Sequence, residues 1–149
     1  MGVKFVHTNI VAKDWKKLAQ FYIQVFECQP VDPERDLAGE LIDRATDIKD
    51  VHIRGMHLRL PGYQDGPTLE IFQYNKQLES DDLPAINRPG FGHIAFLVDN
   101  VQLFHDKLLK YGGSKLGEIV VKEMAGVGIL TFVYARDPEG NIIEIQNWQ

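Results

Sequence analysis

Two histidines and two glutamates recur at corresponding places in the two halves of this 149-residue sequence. His7 and His93 each precede a helix cap at the same offset, and Glu70 and Glu144 each lie in the last strand of their half. Imidazole and carboxylate groups without a thiolate are suitable ligands for Ni, Zn, Co, Mn or Fe(II). The repeated set therefore predicts a site for one divalent metal ion, bound by His7, Glu70, His93 and Glu144.

The neighbours of these residues predict which face of a sheet they occupy. Side chains alternate between the two faces of a strand, so Glu144 points away from its aliphatic neighbours Ile143 and Ile145. Glu70 and His93 have apolar neighbours in the same way. Carboxylates on a partly closed face repel each other and are costly to bury, and a divalent cation relieves both penalties. A solvated glutamate or a packed histidine is the commoner explanation for any one such residue, but the repetition favours the metal.

The elements that carry these residues follow from hydrophobic periodicity and turn signals. Each half begins with a strand and continues with a helix that is capped by Asp14 or Asn100. The polar insertion from Leu37 to Asp50 is expected to form a lid, part of a pocket, or a surface loop without a role. Strands are predicted at 3–11, 51–60, 67–74, 92–98, 128–135 and 141–148, with a polar linker at 75–89.

The repeat predicts the fold class. Two copies of a strand–helix–three-strand unit are the simplest description of the matched halves, which indicates an α+β fold. The spacing from histidine to glutamate is longer in the first half by about the length of the polar insertion. We expect a single domain that consists of two βαβββ modules, about residues 1–80 and 90–149.

The composition excludes several classes of function. The formal charge of −5 at pH 7 gives little attraction for phosphate backbones, so nucleic acid is not an expected partner. No apolar run is long enough to span a bilayer, and no export signal is recognisable. The one cysteine, Cys28, cannot form an internal disulfide, which fits a reducing compartment. These features predict a cytoplasmic protein that acts on a small molecule.

Several segments resemble a known family. They are Phe21-Tyr22 at the end of the first helix, Thr68-Leu69-Glu70, Gly92-His93-Ile94-Ala95-Phe96, and the block from Asp137 to Glu144. They resemble the vicinal oxygen chelate superfamily, which includes glyoxalase I, methylmalonyl-CoA epimerase, fosfomycin-resistance transferases, extradiol dioxygenases and bleomycin-binding proteins. The resemblance implies paired βαβββ modules that form a cupped mixed sheet with a metal at its base, and a homodimer.

The ligand set narrows the kind of family member that the chain resembles. Members similar to glyoxalase I use two histidines and two glutamates, as this chain would. They bind a substrate with adjacent oxygens and shuttle a proton through an enediolate or enolate, which makes the enzyme a lyase or an isomerase. By this resemblance Glu144 is the catalytic base and Glu70 the second acid or base. Lys17 stands where glutathione-using members commonly have an arginine, and lysine replaces a planar bidentate donor poorly.

Two other interpretations stay open. The first is a non-catalytic protein of the same fold that binds a small molecule such as an antibiotic. The second is an Fe(II) dioxygenase, whose set of two histidines and one glutamate would leave Glu70 surplus.

Further residues are candidates for contact with a substrate. His52 and His57 must point to opposite faces of their strand, and His57 is the more interesting of the two. His105 is expected on the surface of the second helix. An apolar pocket wall is predicted from His57, Phe72, Tyr74 and Trp148, and an anionic substrate could meet Arg54, Arg59, Lys122 or Arg136.

Overall fold

The computed structural model describes residues 2–149, which form two compact units divided between Glu79 and Ser80. Their order of elements confirms the α+β class. The first unit contains β1 (His7–Val11), α1 (Trp15–Phe26), β2 (Gln29–Ala38), α2 (Glu40–Thr46), β3 (His52–Arg59) and β4 (Thr68–Tyr74). The second unit contains β5 (His93–Leu97), α3 (Val101–Lys110), β6 (Ser114–Lys115), β7 (Val120–Met124), β8 (Gly128–Arg136) and β9 (Ile142–Trp148).

The first unit is a four-stranded sheet in the order β1-β4-β3-β2. β1 runs parallel to β4, whereas the other two pairs of strands are antiparallel. α1 packs against β3 and β4 and buries one face of the sheet, where the side chains of Leu58, Leu69 and Ile71 are almost completely inaccessible. Because side chains alternate, His7, His57 and Glu70 lie on the opposite face.

The cap that the sequence predicts for α1 is confirmed. The Asp14 carboxylate accepts a hydrogen bond from the backbone N–H of Lys17 at 3.1 Å. The helix ends at Glu27, which adopts the left-handed conformation with φ 59°. Between these ends, Leu18, Tyr22 and Val25 are fully buried. The helical spacing of apolar residues therefore identified the correct buried face.

β2 is a strand that the sequence analysis does not predict. It contains Pro30 and Pro33, residues that are typical of a helix end or a turn, and it lies at the edge of the sheet. Proline has no amide donor and is tolerated on edge strands and at bulges. The register of β2 with β3 shifts between Val31 and Arg35, so the strand resumes after the irregularity.

Part of the polar insertion forms α2 and is fixed to the sheet. The Asp43 carboxylate accepts hydrogen bonds from the backbone N–H groups of Asp50 and Val51, at 2.8 and 3.0 Å. Three apolar residues of this region pack against the buried cluster of Val51, Ile53 and Phe72; they are Leu37, Ile42 and Ile48. The insertion therefore covers one end of the sheet face that carries Glu70.

The second unit repeats this arrangement with different edge strands. Its sheet has the order β5-β9-β8-β6, and β7 also pairs with β8. β5 is parallel to β9, and β8 is antiparallel to β9. The Asn100 side chain caps α3 by accepting from the N–H of Leu103 at 2.9 Å, as predicted. β6 and β7 are short and mostly exposed, so they lack the alternation that would have identified them.

The turn before β9 is held by Asp137. This residue is 2% exposed, and its carboxylate accepts from the backbone N–H groups of Glu139 and Asn141 at 2.8 and 3.0 Å. The Asn141 side chain donates to the second oxygen of the carboxylate at 2.8 Å. These bonds fix the start of the strand that carries Glu144.

His105 is buried, which corrects the expected surface position. It is 5% exposed and lies with Val101 and Leu108 on the buried side of α3, a spacing that follows the helical period. In the described part of the chain its Nε2 atom has no hydrogen-bond partner. Burial lowers the pKa of His105, and the positive charge of Lys115 adds to this effect, while Asp106 opposes it.

No helix within residues 2–149 combines the length and the apolar character that crossing a bilayer requires.

Candidate metal centre

His7, His57 and Glu70 form a cluster on the face of the first sheet opposite α1. The Nε2 atom of His57 lies 2.7 Å from Glu70 Oε2, and the Nε2 atom of His7 lies 3.6 Å from Glu70 Oε1. One ligand atom from each residue can be chosen such that all three lie within 4.8 Å of one another. Two imidazoles and a carboxylate at this separation are a suitable partial ligand set for a divalent transition metal.

Strand register brings the cluster together. His57 of β3 is the direct partner of Glu70 in the antiparallel pair, and Asn9 of β1 is the partner of Glu70 in the parallel pair. Glu70 therefore lies between an imidazole on one side and an amide on the other. Cross-strand partners have side chains about 5 Å apart at the Cβ atoms, which is within hydrogen-bonding reach for these residues.

Hydrogen bonds hold the cluster in place. The Asn9 side-chain amide donates to Glu70 Oε1 at 2.9 Å, and His57 Nδ1 lies 2.8 Å from the Thr68 hydroxyl. The Glu70 side chain is 12% exposed, so its charge is largely removed from solvent. Burial lowers the pKa of His57; the Glu70 charge raises it, and the positive charges of Arg35 and His7 lower it.

The second unit contains a corresponding pair. His93 Nε2 lies 3.1 Å from Glu144 Oε2, and the Glu144 side chain is 14% exposed. Tyr134 of β8 is the direct partner of Glu144, and its ring centroid lies 5.1 Å from that of His93. Burial raises the pKa of Tyr134, and the negative charge of Glu144 raises it further.

The two units differ in what surrounds each carboxylate. His57 faces Glu70, whereas Tyr134 faces Glu144 at the equivalent position of the register. Asn9 is the parallel partner of Glu70, whereas alanine, at position 95, is the parallel partner of Glu144. Glu70 is consequently held by more polar partners than Glu144.

The predicted aromatic pocket residues occupy two different environments. Phe72 is buried with Val51 and Ile53, and its ring centroid lies 6.1 Å from that of His57. Tyr74 packs against the same cluster. Trp148 is 39% exposed, and its indole N–H donates to the Gln146 side chain at 3.2 Å. In the first unit, Phe72 thus lies between the buried apolar residues at the covered end of the sheet and the imidazole of His57.

A cavity of about 280 Å³ in the first unit lies apart from this cluster. His52 and Arg54, which line it, point to the face of β3 opposite His57, as the alternation of the strand requires. Both contact the Asp36 carboxylate, Arg54 through its Nε at 3.7 Å. The lining comprises Trp15, His52, Arg54, Gln73, Tyr74 and Asn75.

Arg136, a candidate for contact with an anionic substrate, forms hydrogen bonds to the backbone of its own unit. Its guanidinium donates to the backbone carbonyls of Pro84 and Gly140, both at 2.7 Å. These bonds attach the segment before β5 to the turn before β9. Arg59 is half-buried on the same face as His57, and Lys122 is exposed in β7.

Sequence reasoning missed the partners that complete each pair. Asn9 and Thr68 each lie two residues from a predicted ligand on the same strand, and this alternation could have identified them, whereas Tyr134 lies in a strand that carries no predicted ligand. The direct pairing of His57 with Glu70 depends on the register across the 60–67 connection. The alternation of side chains along a single strand does not determine that register.

Comparisons with known proteins identify a family. The profile of the Glyoxalase/Bleomycin resistance protein/Dioxygenase superfamily matches residues 4–145. A glyoxalase family protein from Bacillus cereus aligns with a TM-score of 0.77 and 16% identity, over 98% of this chain and 93% of that chain. A glyoxalase/bleomycin resistance protein/dioxygenase family enzyme from Burkholderia phytofirmans gives 0.62 and 16%, over 99% and 100%. A glyoxalase-related enzyme from Fulvimarina pelagi gives 0.56 and 18%, over 97% and 87%.

No curated protein sequence matches the chain. At these identities the similarity to solved structures establishes the fold alone, whereas the superfamily profile spans nearly the whole sequence. The chain belongs to the Glyoxalase/Bleomycin resistance protein/Dioxygenase superfamily, which is the vicinal oxygen chelate superfamily named above.

Proposed function

We propose that the protein is a metal-dependent lyase or isomerase of the glyoxalase I and epimerase type. The observation that carries the proposal is the repeated contact between a histidine and a glutamate. His7 lies 3.6 Å from Glu70 in the first unit, and His93 lies 3.1 Å from Glu144 in the second. A pair that recurs at the same strand positions is difficult to explain as two separate packing accidents.

The residues fit a divalent metal ion. Both carboxylates are largely removed from solvent, and each faces an imidazole nitrogen, which is the donor set that Ni, Zn, Co, Mn and Fe(II) accept. The proposed ligands are His7, Glu70, His93 and Glu144. When bound, such an ion supplies Lewis acidity toward a substrate that carries two adjacent oxygens.

Glu144 is the proposed base that removes a proton from the substrate carbon next to the carbonyl. In the described part of the chain its carboxylate has His93 as its polar partner at bonding distance. Glu70, in contrast, is held by Asn9 and His57. A carboxylate with fewer partners reorients at lower cost, so Glu144 can deliver the proton to a neighbouring position while Glu70 keeps its place or serves as the second acid or base.

The environment of Glu144 supports this assignment. The Glu144 side chain is 14% exposed, and the phenol of Tyr134 is its direct cross-strand partner. The raised pKa of Tyr134 keeps that phenol protonated and uncharged next to Glu144. Tyr134 therefore adds no second negative charge at the position where the base must act.

The proposal is tested by loading the metal-free full chain separately with Ni, Zn, Co, Mn or Fe(II). Each form is assayed with the methylglyoxal–glutathione hemithioacetal, with methylmalonyl-CoA, and with fosfomycin and a thiol. Metal-dependent turnover of either of the first two is expected. Oxygen uptake with catechols by the Fe(II) form would instead indicate a dioxygenase. Failure to bind any of these ions would favour the non-catalytic small-molecule binder.

A homodimer and a cytoplasmic location remain part of the proposal. Sedimentation of the purified chain and its location in fractionated cells test them separately from the chemistry.

A further inference from the structure

We propose that His57 is an additional metal ligand, so that the first unit alone offers a three-residue set: His7, His57 and Glu70. The inference rests on the proposed function only in requiring that a divalent cation binds. It adds an imidazole to the repeated pairs, at a position where the second unit carries a phenol.

Geometry separates His57 from the other histidines outside the repeated pairs. Its Nε2 atom lies 2.7 Å from Glu70 Oε2, and its ring centroid lies 5.4 Å from that of His7. His52, on the same strand, contacts Asp36 on the other face, and His105 lies on the buried side of α3 in the second unit. His57 is thus directed at the same carboxylate that His7 faces.

The second nitrogen of His57 has the kind of partner that a ligating imidazole needs. Nδ1 lies 2.8 Å from the Thr68 hydroxyl. A metal-bound histidine usually donates its other N–H to an oxygen, which fixes the tautomer and the plane of the ring. If Nδ1–H donates to Thr68, the Nε2 lone pair points at Glu70. Two lone pairs at 2.7 Å repel each other unless a proton or a cation neutralises them.

The competing role for His57 is a simple hydrogen bond to Glu70. In that case Nε2 carries the hydrogen, Nδ1 accepts from the Thr68 hydroxyl, and the imidazole contributes no ligand atom. The two roles differ in where the hydrogen lies and in whether removal of the imidazole changes the spectrum of a bound ion. The proximity of His7, which brings a second imidazole nitrogen to the same carboxylate, favours the ligand role.

A third ligand in the first unit would change what is required of Glu144 in the second unit. With three ligands from the first unit, retention of the ion depends less on Glu144. Glu144 would then be needed less as a ligand and could serve as the base toward the substrate. Tyr134, at the position equivalent to His57, is a poorer ligand for a divalent ion while it stays protonated.

The test measures binding of Co²⁺ and Zn²⁺ to the metal-free full chain. Competition with a chelator gives the affinity, and visible absorption reports the ligands of Co²⁺. We expect His57→Gln to lower the affinity at least about a hundredfold, beyond the range typical of an outer-shell partner, and to shift the Co²⁺ absorption. His52→Gln is the matched control on the opposite face of β3 and should leave both unchanged.

Thr68→Val provides a second variant in case His57→Gln fails to fold. It keeps the shape of the side chain and removes the hydroxyl, so the affinity should fall about 10- to 100-fold. Unchanged affinity and absorption in either folded variant would overturn the inference, while metal binding by the wild-type chain would preserve the proposed function. If the wild-type chain bound neither ion, both would fail. Binding that depends on His57 without turnover would overturn the proposed reaction alone.

Discussion

His93 Nε2 lies 3.1 Å from Glu144 Oε2, although 51 residues separate the two in sequence. Parallel pairing of β5 with β9 brings them together, since Glu144 pairs directly with position 95, two residues after His93 on the same face. The contact gives Glu144 a partner that orients its carboxylate.

Glu144→Gln should lower turnover by about 10²- to 10⁴-fold, because an amide of the same shape cannot act as a base. The loss of metal affinity should be smaller than in Glu70→Gln, since the Glu70 carboxylate contacts the imidazoles of both His7 and His57. Steady-state kinetics and the metal content of both variants check this. Equal turnover in Glu144→Gln and wild type would remove Glu144 from the chemistry.

Tyr134 should report the charge on Glu144. Burial and the Glu144 carboxylate both raise the pKa of the phenol, so Glu144→Gln should lower that pKa and leave only the effect of burial. Ultraviolet titration of phenolate formation in the metal-free chain measures the shift, and Tyr134→Phe identifies which transition belongs to this residue. An unchanged transition would mean that the two groups do not interact in solution.

His105 should make the protein less stable in mild acid. Burial lowers its native-state pKa below the ordinary value of 6.5, so between these two values the unfolded chain binds a proton that the native chain does not. Its contribution is therefore constant above pH 6.5 and is lost as the pH falls toward the native pKa, with a limiting slope of about 1.4 kcal/mol per pH unit.

The matched variant for this effect is His105→Leu. Urea unfolding of both proteins across this pH range should show a shallower decline in the free energy of unfolding for the variant. Parallel curves would mean that His105 titrates alike in the folded and unfolded chains.

Gly55 allows β3 to pair closely with β4 next to His57. An added Cβ atom would lie 2.0 Å from the Ile71 carbonyl oxygen and 2.7 Å from a Phe72 ring carbon. Gly55→Ala should therefore lower the free energy of unfolding by about 1–3 kcal/mol. Gly117→Ala is the control, because nothing lies within 4 Å of its added Cβ. Comparable denaturation midpoints would contradict the close approach.

Much of the fold could be predicted because local signals agreed with tertiary packing. Asp14 and Asn100 both cap helices as expected, and the aliphatic neighbours of Glu70 and Glu144 are buried under those helices. β2 was missed because its prolines are tolerated only by virtue of its edge position, which a sequence does not reveal. β6 and β7 lack a buried face and hence a pattern.

The residue types of the candidate site could be predicted from the sequence, but the residues that lie next to them in space could not. The alternation of side chains along β3 predicted that His57 and His52 lie on opposite faces. In the structure His57 lies on the face that carries Glu70. Its direct pairing with Glu70 depends on hairpin register, which the intervening loop sets. His105 was misassigned because histidine is only intermediate in its tendency to be buried. Its spacing from Val101 and Leu108 already indicated the buried side of α3.

The proposal on which the account depends is that the two histidine–glutamate pairs bind one divalent cation. The most direct measurement is the metal content and affinity of the purified full chain, compared with His7→Gln and His93→Gln. About one ion per chain is predicted, with marked loss of affinity in each variant, because each removes one imidazole ligand. Absence of a bound ion, or full retention in His93→Gln, would contradict the claim.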